Sequence, residues 1–187
     1  MAQGALDFLR SMRIKEVTPQ QFLSVHYAQP VFVHLNSPDL YCHPEKTNWD
    51  THYFYDHHNE YQSSFDSYTR VADILMNGIY WEKGIPPLFT KADLQDEFAL
   101  TTIADITDDA HGSVPCNLGD APSEDPVYGV NVNTFEKTAP YLPEGIDVMA
   151  VGNLPNELPR DASRFFGEQL IKYVLPDLFG NSNKIIE

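Results

Sequence analysis

The sequence predicts an α/β fold built on a mostly parallel sheet. Short apolar runs alternate with stretches of helical periodicity, and strands separated by helices imply parallel pairing. Three of these runs, ending near Leu35, Ile106 and Val151, pass into small or polar turn residues. The most telling runs from Val148 to Val151, turns through Gly152-Asn153, and is stiffened by Pro155 and Pro159 before a helix begins. Open α/β sheets bind ligands at the carboxyl ends of buried strands. This turn therefore reads as one wall of a crevice, with an ordinary strand-to-helix loop as the alternative.

Taken in order, residues 2–13 read as a helix, with Ala5, Leu6, Phe8, Leu9 and Met12 at spacings of three and four. Nothing apolar precedes it, and Ala2-Gln3-Gly4 looks like the second half of a turn. Over residues 16–23, Thr18 can cap a short helix with Pro19 at its first position. Val31 to Leu35 is a strand, followed by Asn36. Residues 37–60 are polar, aromatic and irregular, and read as an insertion or a functional loop. A helix is expected near residues 60–71 and a strand over 72–80. Thr90 can cap a short helix over 91–97. Residues 101–106 form another buried strand, ending in the polar cluster from Thr107 to Ser113. Residues 115–145 show little periodicity, with a short strand over 127–132. The last helix covers about 160–179, with Ala162, Phe165, Phe166, Leu170, Val174 and Leu178 along one face.

The chain has 187 residues, 42% hydrophobic and 12% aromatic, enough for a folded core. Its formal charge of −15 argues against nucleic acid or an anionic membrane as a partner. A nucleotide cofactor remains compatible, because it needs only a local set of backbone donors. The two cysteines, Cys42 and Cys116, are expected to be reduced. No run is long enough to span a membrane, and Asp7 interrupts the mildly apolar amino terminus, so a cytoplasmic protein is expected.

The loop over 37–60 offers Cys42, His43, His52, His57 and His58 as metal ligands. Paired spacings of the kind zinc sites use are absent, so solvated loop residues are expected and no metal is assigned. Cys116 with His111 would make a nucleophile pair, but nothing local fixes their geometry. Asp108-Asp109 could bind a cation or a ribose, or cap the strand end. Gly4 carries information only as the last glycine of a G-x-G-x-x-G loop, whose earlier positions would precede Met1.

Four stretches resemble a known family. They are residues 2–9; residues 72–81 with Pro87, Phe89 and Thr90; Thr102-Ile103-Ala104-Asp105-Ile106-Thr107-Asp108-Asp109; and Val151-Gly152-Asn153-Leu154-Pro155 with Leu158-Pro159-Arg160-Asp161-Ala162-Ser163 and Phe166. The third is similar to a V-V-D-V-S-x-D strand end, and the fourth to a D-x-L-P-x-x-L-P-R-E-A-S signature. Together they resemble the cofactor-binding half of saccharopine dehydrogenases of the lysine-forming type, within the alanine dehydrogenase and nicotinamide nucleotide transhydrogenase superfamily.

The resemblance implies a partial Rossmann-type, doubly wound parallel sheet lacking its first strand and glycine loop, as one domain over 1–187. It implies an NAD-linked reaction at a carbon–nitrogen bond of a small amino-acid substrate, without choosing NAD over NADP. Gln3 and Gly4 would approach the pyrophosphate. Asn36 would sit at the ribose-recognising position, where the family expects an acid. Ile106, Thr107 and Asp109 would line the nicotinamide side, and Val151, Gly152, Asn153 and Leu154 would close over it. The family's catalytic lysine and histidine lie in a domain that these residues do not match, so no catalytic residue is expected here. Gly152 also stands where the family usually has an acid. The expectation is a truncated member, inactive alone, that needs a catalytic partner or self-associates. A non-enzymatic interaction module and an alanine dehydrogenase-type half are the alternatives.

Overall fold

The computed structural model describes residues 2–95 and 97–180. The chain divides into two compact units, one ending at Gly152 and the other starting at Asn153. The first holds all nine strands found among the described residues. Helix α1 (Ala2–Ser11) leads to β1 (Lys15–Val17), α2 (Pro19–Ser24) and β2 (Val31–Val33). The Thr18 hydroxyl accepts from the Gln21 amide, and the Gln21 side chain accepts from the Thr18 amide. That reciprocal cap, with Pro19 in the first turn, starts α2 where the sequence places it. β1 and β2 pair in parallel as a separate two-stranded sheet.

The insertion is more ordered than its composition suggests. It contains α3 (Ser37–Leu40), β3 (Tyr41–Cys42), α4 (Thr51–Asp56), a 3-10 turn (His58–Glu60) and β4 (Gln62–Ser63), with β3 and β4 antiparallel. Tyr41, Phe54 and Tyr61 are buried in it, with Trp49 packed against Phe54 at 4.9 Å. These rings supply a core to elements too short to show periodicity, each contributing roughly 1.5–3 kcal/mol of burial. The helix expected over 60–71 shrinks to α5 (Asp66–Thr69).

The main sheet contains β5 (Ile74–Asn77), β6 (Thr102–Asp105), β7 (Val127–Asn131), β8 (Lys137–Thr138) and β9 (Gly145–Met149), in spatial order β5-β6-β9-β7-β8. β5, β6 and β9 are parallel, while β7 and β8 add antiparallel pairs. The architecture is a mixed α/β sheet of partial Rossmann type, with an antiparallel hairpin on one side. β8 lies in the stretch that shows little periodicity. The last strand starts earlier than its apolar run suggests, because Ile146 and Val148 point inward while Asp147 and Met149 are only half-buried. The helix expected over 91–97 is a 3-10 turn, Asp93–Gln95, and its cap is reversed: the Asp93 carboxylate accepts from the Thr90 amide and hydroxyl.

The second unit carries a 3-10 turn (Leu154–Glu157) and then α6 (Pro159–Gln169), a π-helical turn (Leu170–Val174) and α7 (Leu175–Gly180). Pro159 stands in the first turn of α6, where its missing N–H costs nothing. Among the described residues no helix is long and apolar enough to cross a membrane.

Candidate functional site

Asp105 anchors the carboxyl end of the parallel strands. It is the last residue of β6 and is fully buried. Its Oδ1 accepts from Asn77 Nδ2 at 2.8 Å and Thr107 Oγ1 at 2.7 Å, and its Oδ2 from Asn117 Nδ2 at 2.9 Å. Asn77, the last residue of β5, also donates to Ser113 Oγ at 2.8 Å. Asn117 Oδ1 accepts from the Gly119 amide, and the Leu118 amide donates to the Tyr128 hydroxyl of β7. This network ties two strand ends to the loop over 107–121 and satisfies the buried polar atoms that the bend would otherwise strand. The Ala121 amide donates to the Ala150 carbonyl, joining the same loop to the end of β9.

An acidic mouth lies outside this layer. Asp108 adopts φ 54°, the left-handed region that aspartate tolerates better than most residues. Burial pushes its carboxyl up to about 6, and a hydrogen bond with Asp120 adds to that, against an opposing contribution from Asn117. Asp109 is also raised, by burial first and by the Asp105 charge second. Gly152 closes the group: a Cβ there would stand 2.7 Å from Asp120 Oδ2 and 3.0 Å from Asp108 Oδ2. The absence of a side chain at 152 is what lets the two carboxyl groups occupy this space.

Helix α1 starts at the same end of the sheet. A Cβ on Gly78, just past β5, would stand 3.1 Å from the Ala2 nitrogen. The first turn of α1 carries no acidic residue. Its amide groups and the acidic mouth therefore form two regions of opposite character at the carboxyl ends of the strands. Two open hollows, of about 290 and 400 Å³, lie elsewhere. Gly145, at the amino end of β9, lines the first together with Asn131 and Thr138 of the antiparallel hairpin, and Lys15 and Val31, at the amino ends of β1 and β2, line the second. Ligands of open α/β sheets bind at the opposite ends of the parallel strands.

The sequence of this region has known relatives. No family model matches the chain. It is 29% identical over 146 residues to an α-aminoadipic semialdehyde synthase of Arabidopsis thaliana, covering 75% of this chain and 14% of that protein. It is 28% identical over 133 residues to the mitochondrial α-aminoadipic semialdehyde synthase of Rattus norvegicus, covering 60% of this chain and 14% of that protein. It is 32% identical over 108 residues to the NAD(+), L-lysine-forming saccharopine dehydrogenase of Candida albicans, covering 56% of this chain and 26% of that protein. The chain is similar in sequence to saccharopine dehydrogenase and to α-aminoadipic semialdehyde synthases. It spans only 14% to 26% of the length of these relatives.

The residues that the saccharopine dehydrogenase resemblance singles out fall into three groups. Gln3 and Gly4 are exposed in the first turn of α1. Ile106, Thr107 and Asp109 follow β6, and Val151 and Gly152 follow β9, so the parallel strands bring these five to one sheet end. Asn36 lies past β2 of the separate two-stranded sheet, where its amide donates to Asp39 Oδ2 at 2.8 Å and starts α3. Asn153 and Leu154 open the second unit.

Sequence reasoning named none of Asn77, Ser113, Asn117 and Asp120 as site residues, although Asn77 lies in a stretch that carries the resemblance and Ser113 ends the polar cluster after β6. Cys116 is fully buried and its thiol is pushed up to about 12 by burial, the opposite of an activated nucleophile, while His111 is exposed. The expectation of solvated histidines over 37–60 fails for His43, whose side chain is 9% exposed and engaged with Glu60. His57 stacks on Tyr53 with centroids 4.0 Å apart, and His58 Nδ1 lies 3.1 Å from the Tyr55 carbonyl. Among the described residues no three metal-ligating side chains converge. Cys42 and Cys116 are both free.

Proposed function

We propose that this chain forms the cofactor-binding part of an NAD-linked saccharopine or related amino-acid dehydrogenase and turns over only with a catalytic partner. The supporting observation is the pairing of α1's unoccupied-by-acid first turn with the polar ends of β6 and β9 at one end of a parallel sheet. The donor set fits a dinucleotide. Amides at the start of a ten-residue helix suit a pyrophosphate. Thr107, Asp109 and the Asp108–Asp120 pair suit hydroxyls and an uncharged or positive ring better than an anion.

The cofactor would supply the acceptor for a hydride from a carbon bearing nitrogen. In this reading Gln3 and Gly4 present backbone donors, and Asp109 and Thr107 orient the nicotinamide side. Val151 supplies a buried apolar wall. Asp108 can hold a proton near neutral pH but is assigned no catalytic role, and the acid/base groups come from the partner. The outer edge of β5, unpaired among the described residues, marks a surface for that partner or for a second copy, since open edges recruit strands. A cytoplasmic location is part of the proposal; a fluorescent fusion distinguishes it from the mitochondrial location in the rat relative's name.

Titration with NADH, following energy transfer from Trp49 and Trp81, tests the reading. Saturable binding by the folded chain, with no saccharopine-dependent NADH production, is the expected result. Folded chain that binds no NADH would favour a second reading, a non-enzymatic module of the same fold. Gly152 motivates that second reading, because it removes a carboxylate that the family usually has there. Alanine in place of saccharopine, tested with the assembled enzyme, separates the alanine dehydrogenase-type alternative.

A further inference from the structure

We infer that the hollow at the amino ends of β1 and β2 binds a small phosphate-bearing ligand, held by the Arg13 guanidinium and the Lys15 ammonium. The hollow is about 400 Å³, and its walls include Arg13, Lys15, Tyr27, Pro30 and Val31. No acidic residue among those described lines it. That sets it apart in a chain of formal charge −15. Residues 8–38 hold three of the chain's 12 lysines and arginines but only one of its 27 acids, Glu16. Glu16 is engaged elsewhere, with its Oε2 2.8 Å from Arg10 Nη2. Neighbouring side chains on a strand point to opposite faces, so Lys15 leaves β1 away from Glu16. The other two cations of the stretch, Arg13 and Lys15, are the ones that line the hollow.

The end of α1 sets Arg13 in place. The Arg13 amide donates to the Arg10 carbonyl at 2.9 Å, and the Ile14 amide to the Leu9 carbonyl at 3.2 Å. This pair of bonds closes a helix through one residue in the left-handed conformation. That residue is Arg13, with φ 59°. Glycine is the usual occupant, because a Cβ is strained there. A side chain kept at such a position points to a use for it. The use is not an internal contact: among the described residues the Arg13 side chain makes no hydrogen bond or ion pair. Lys15 has no carboxylate partner among them either, and its Nζ lies over the Tyr27 ring, 5.6 Å from the centroid. Lys15 pairs with Val31 across the two strands, and Pro30 stiffens the facing wall.

A guanidinium presents a planar fork of donors that matches phosphate oxygens, and an ammonium adds a compact second charge. Two cations without an acid suit a dianion, the state of a phosphomonoester above about pH 6. Tyr27, Pro30 and Val31 offer apolar surface to the organic group that the phosphate carries. The volume falls within the roughly 300–1,000 Å³ of small-molecule sites. Arg13 follows the carboxyl end of α1, a ten-residue helix about 15 Å long, so this site is distinct from the first turn of α1. The inference is independent of cofactor binding.

Titration of the full chain with phenyl phosphate tests it, followed by amide chemical shifts at about pH 7.5 and constant ionic strength. Saturable shifts at residues 13–15 and 27–31, with half-saturation at about 1 mM or below, are the expected result. Arg13→Gly suits the left-handed backbone, so it should melt no lower than wild type while binding about tenfold more weakly or worse. Lys15→Gln leaves the helix end untouched and should weaken binding as well. No saturable shift at these residues up to about 20 mM would overturn the inference. So would equal affinity in R13G, an equal response to sodium chloride, or shifts at residues 2–4 alone. Inorganic phosphate that binds as tightly as phenyl phosphate would support the site and make free phosphate its ligand. Weaker binding of inorganic phosphate would support it and make the ligand an organic phosphate.

Discussion

Asp108 and Asp120 share a hydrogen bond beside the bare Cα of Gly152. Burial first, and this contact second, push the Asp108 carboxyl up to about 6, so below that pH Asp108 carries a proton that it can donate to Asp120. Asp108 is a titrating group at the mouth of the candidate site.

Its effect on stability has a definite sign. Folding raises the Asp108 carboxyl from 3.8 to about 6, so its contribution is fully present below about pH 3.8 and is lost as pH rises through 6. Asp108→Asn keeps a donor toward Asp120 and removes the titration. The variant should be more stable than wild type at neutral pH and should lack the decline between about pH 4 and 6. Urea unfolding at a series of pH values measures this, and parallel curves for the two proteins would refute it.

Asp105 is the acceptor on which two strand ends converge. Asp105→Ala leaves the Asn77, Thr107 and Asn117 donors without it, two of them on fully or nearly fully buried residues. The expected loss is about 3 kcal/mol or more, since each stranded buried donor costs about 1–3 kcal/mol. Chemical denaturation reads the loss directly.

The legible parts of this fold are those with local causes. Thr18, Pro19 and Gln21 lie within four positions and specify their own helix start. Helix α1 and the helical run after Pro159 declare themselves by periodicity. The Asp105 network did not, because Asn77 and Asp105 are 28 positions apart and the strand-end motif that contains Asp105 does not announce its partners. The order in the insert was hidden for a related reason. Tyr41, Phe54 and Tyr61 are buried by contact with one another, which spacing along the chain does not announce. Likewise β7 finds its place beside β9 through register, Tyr128 opposite Val148, rather than through any pattern of its own.

Gly4 separates cofactor binding from folding. A Cβ there meets nothing within 4 Å, and an acidic side chain at a helix start stabilises the helix. Gly4→Asp should therefore keep or raise stability while weakening NADH binding about tenfold through repulsion of the pyrophosphate. Equal NADH affinity in the two proteins, by the same energy-transfer titration, would move the phosphate site away from α1.

Association should run through β5. Ile74 on that edge strand is 63% exposed and Met76 is 37% exposed. Sedimentation velocity across the micromolar range should show wild-type self-association. Ile74→Lys should shift the distribution toward monomer, because a charge on an edge strand discourages pairing. A clean monomer for both proteins would remove the edge as an interface between copies.

The spatial order of the sheet also governs how it is made. β9 lies between β6 and β7, yet it is the last of the five strands in the sequence. A chain emerging from the ribosome can pair β5 with β6 and β7 with β8 as two local halves. It cannot join them until residues 145–149 arrive. Assembly is therefore a late closure by one central strand, with the inner edges of both halves open to wrong partners until then. Slow translation just before Gly145 would lengthen that exposure.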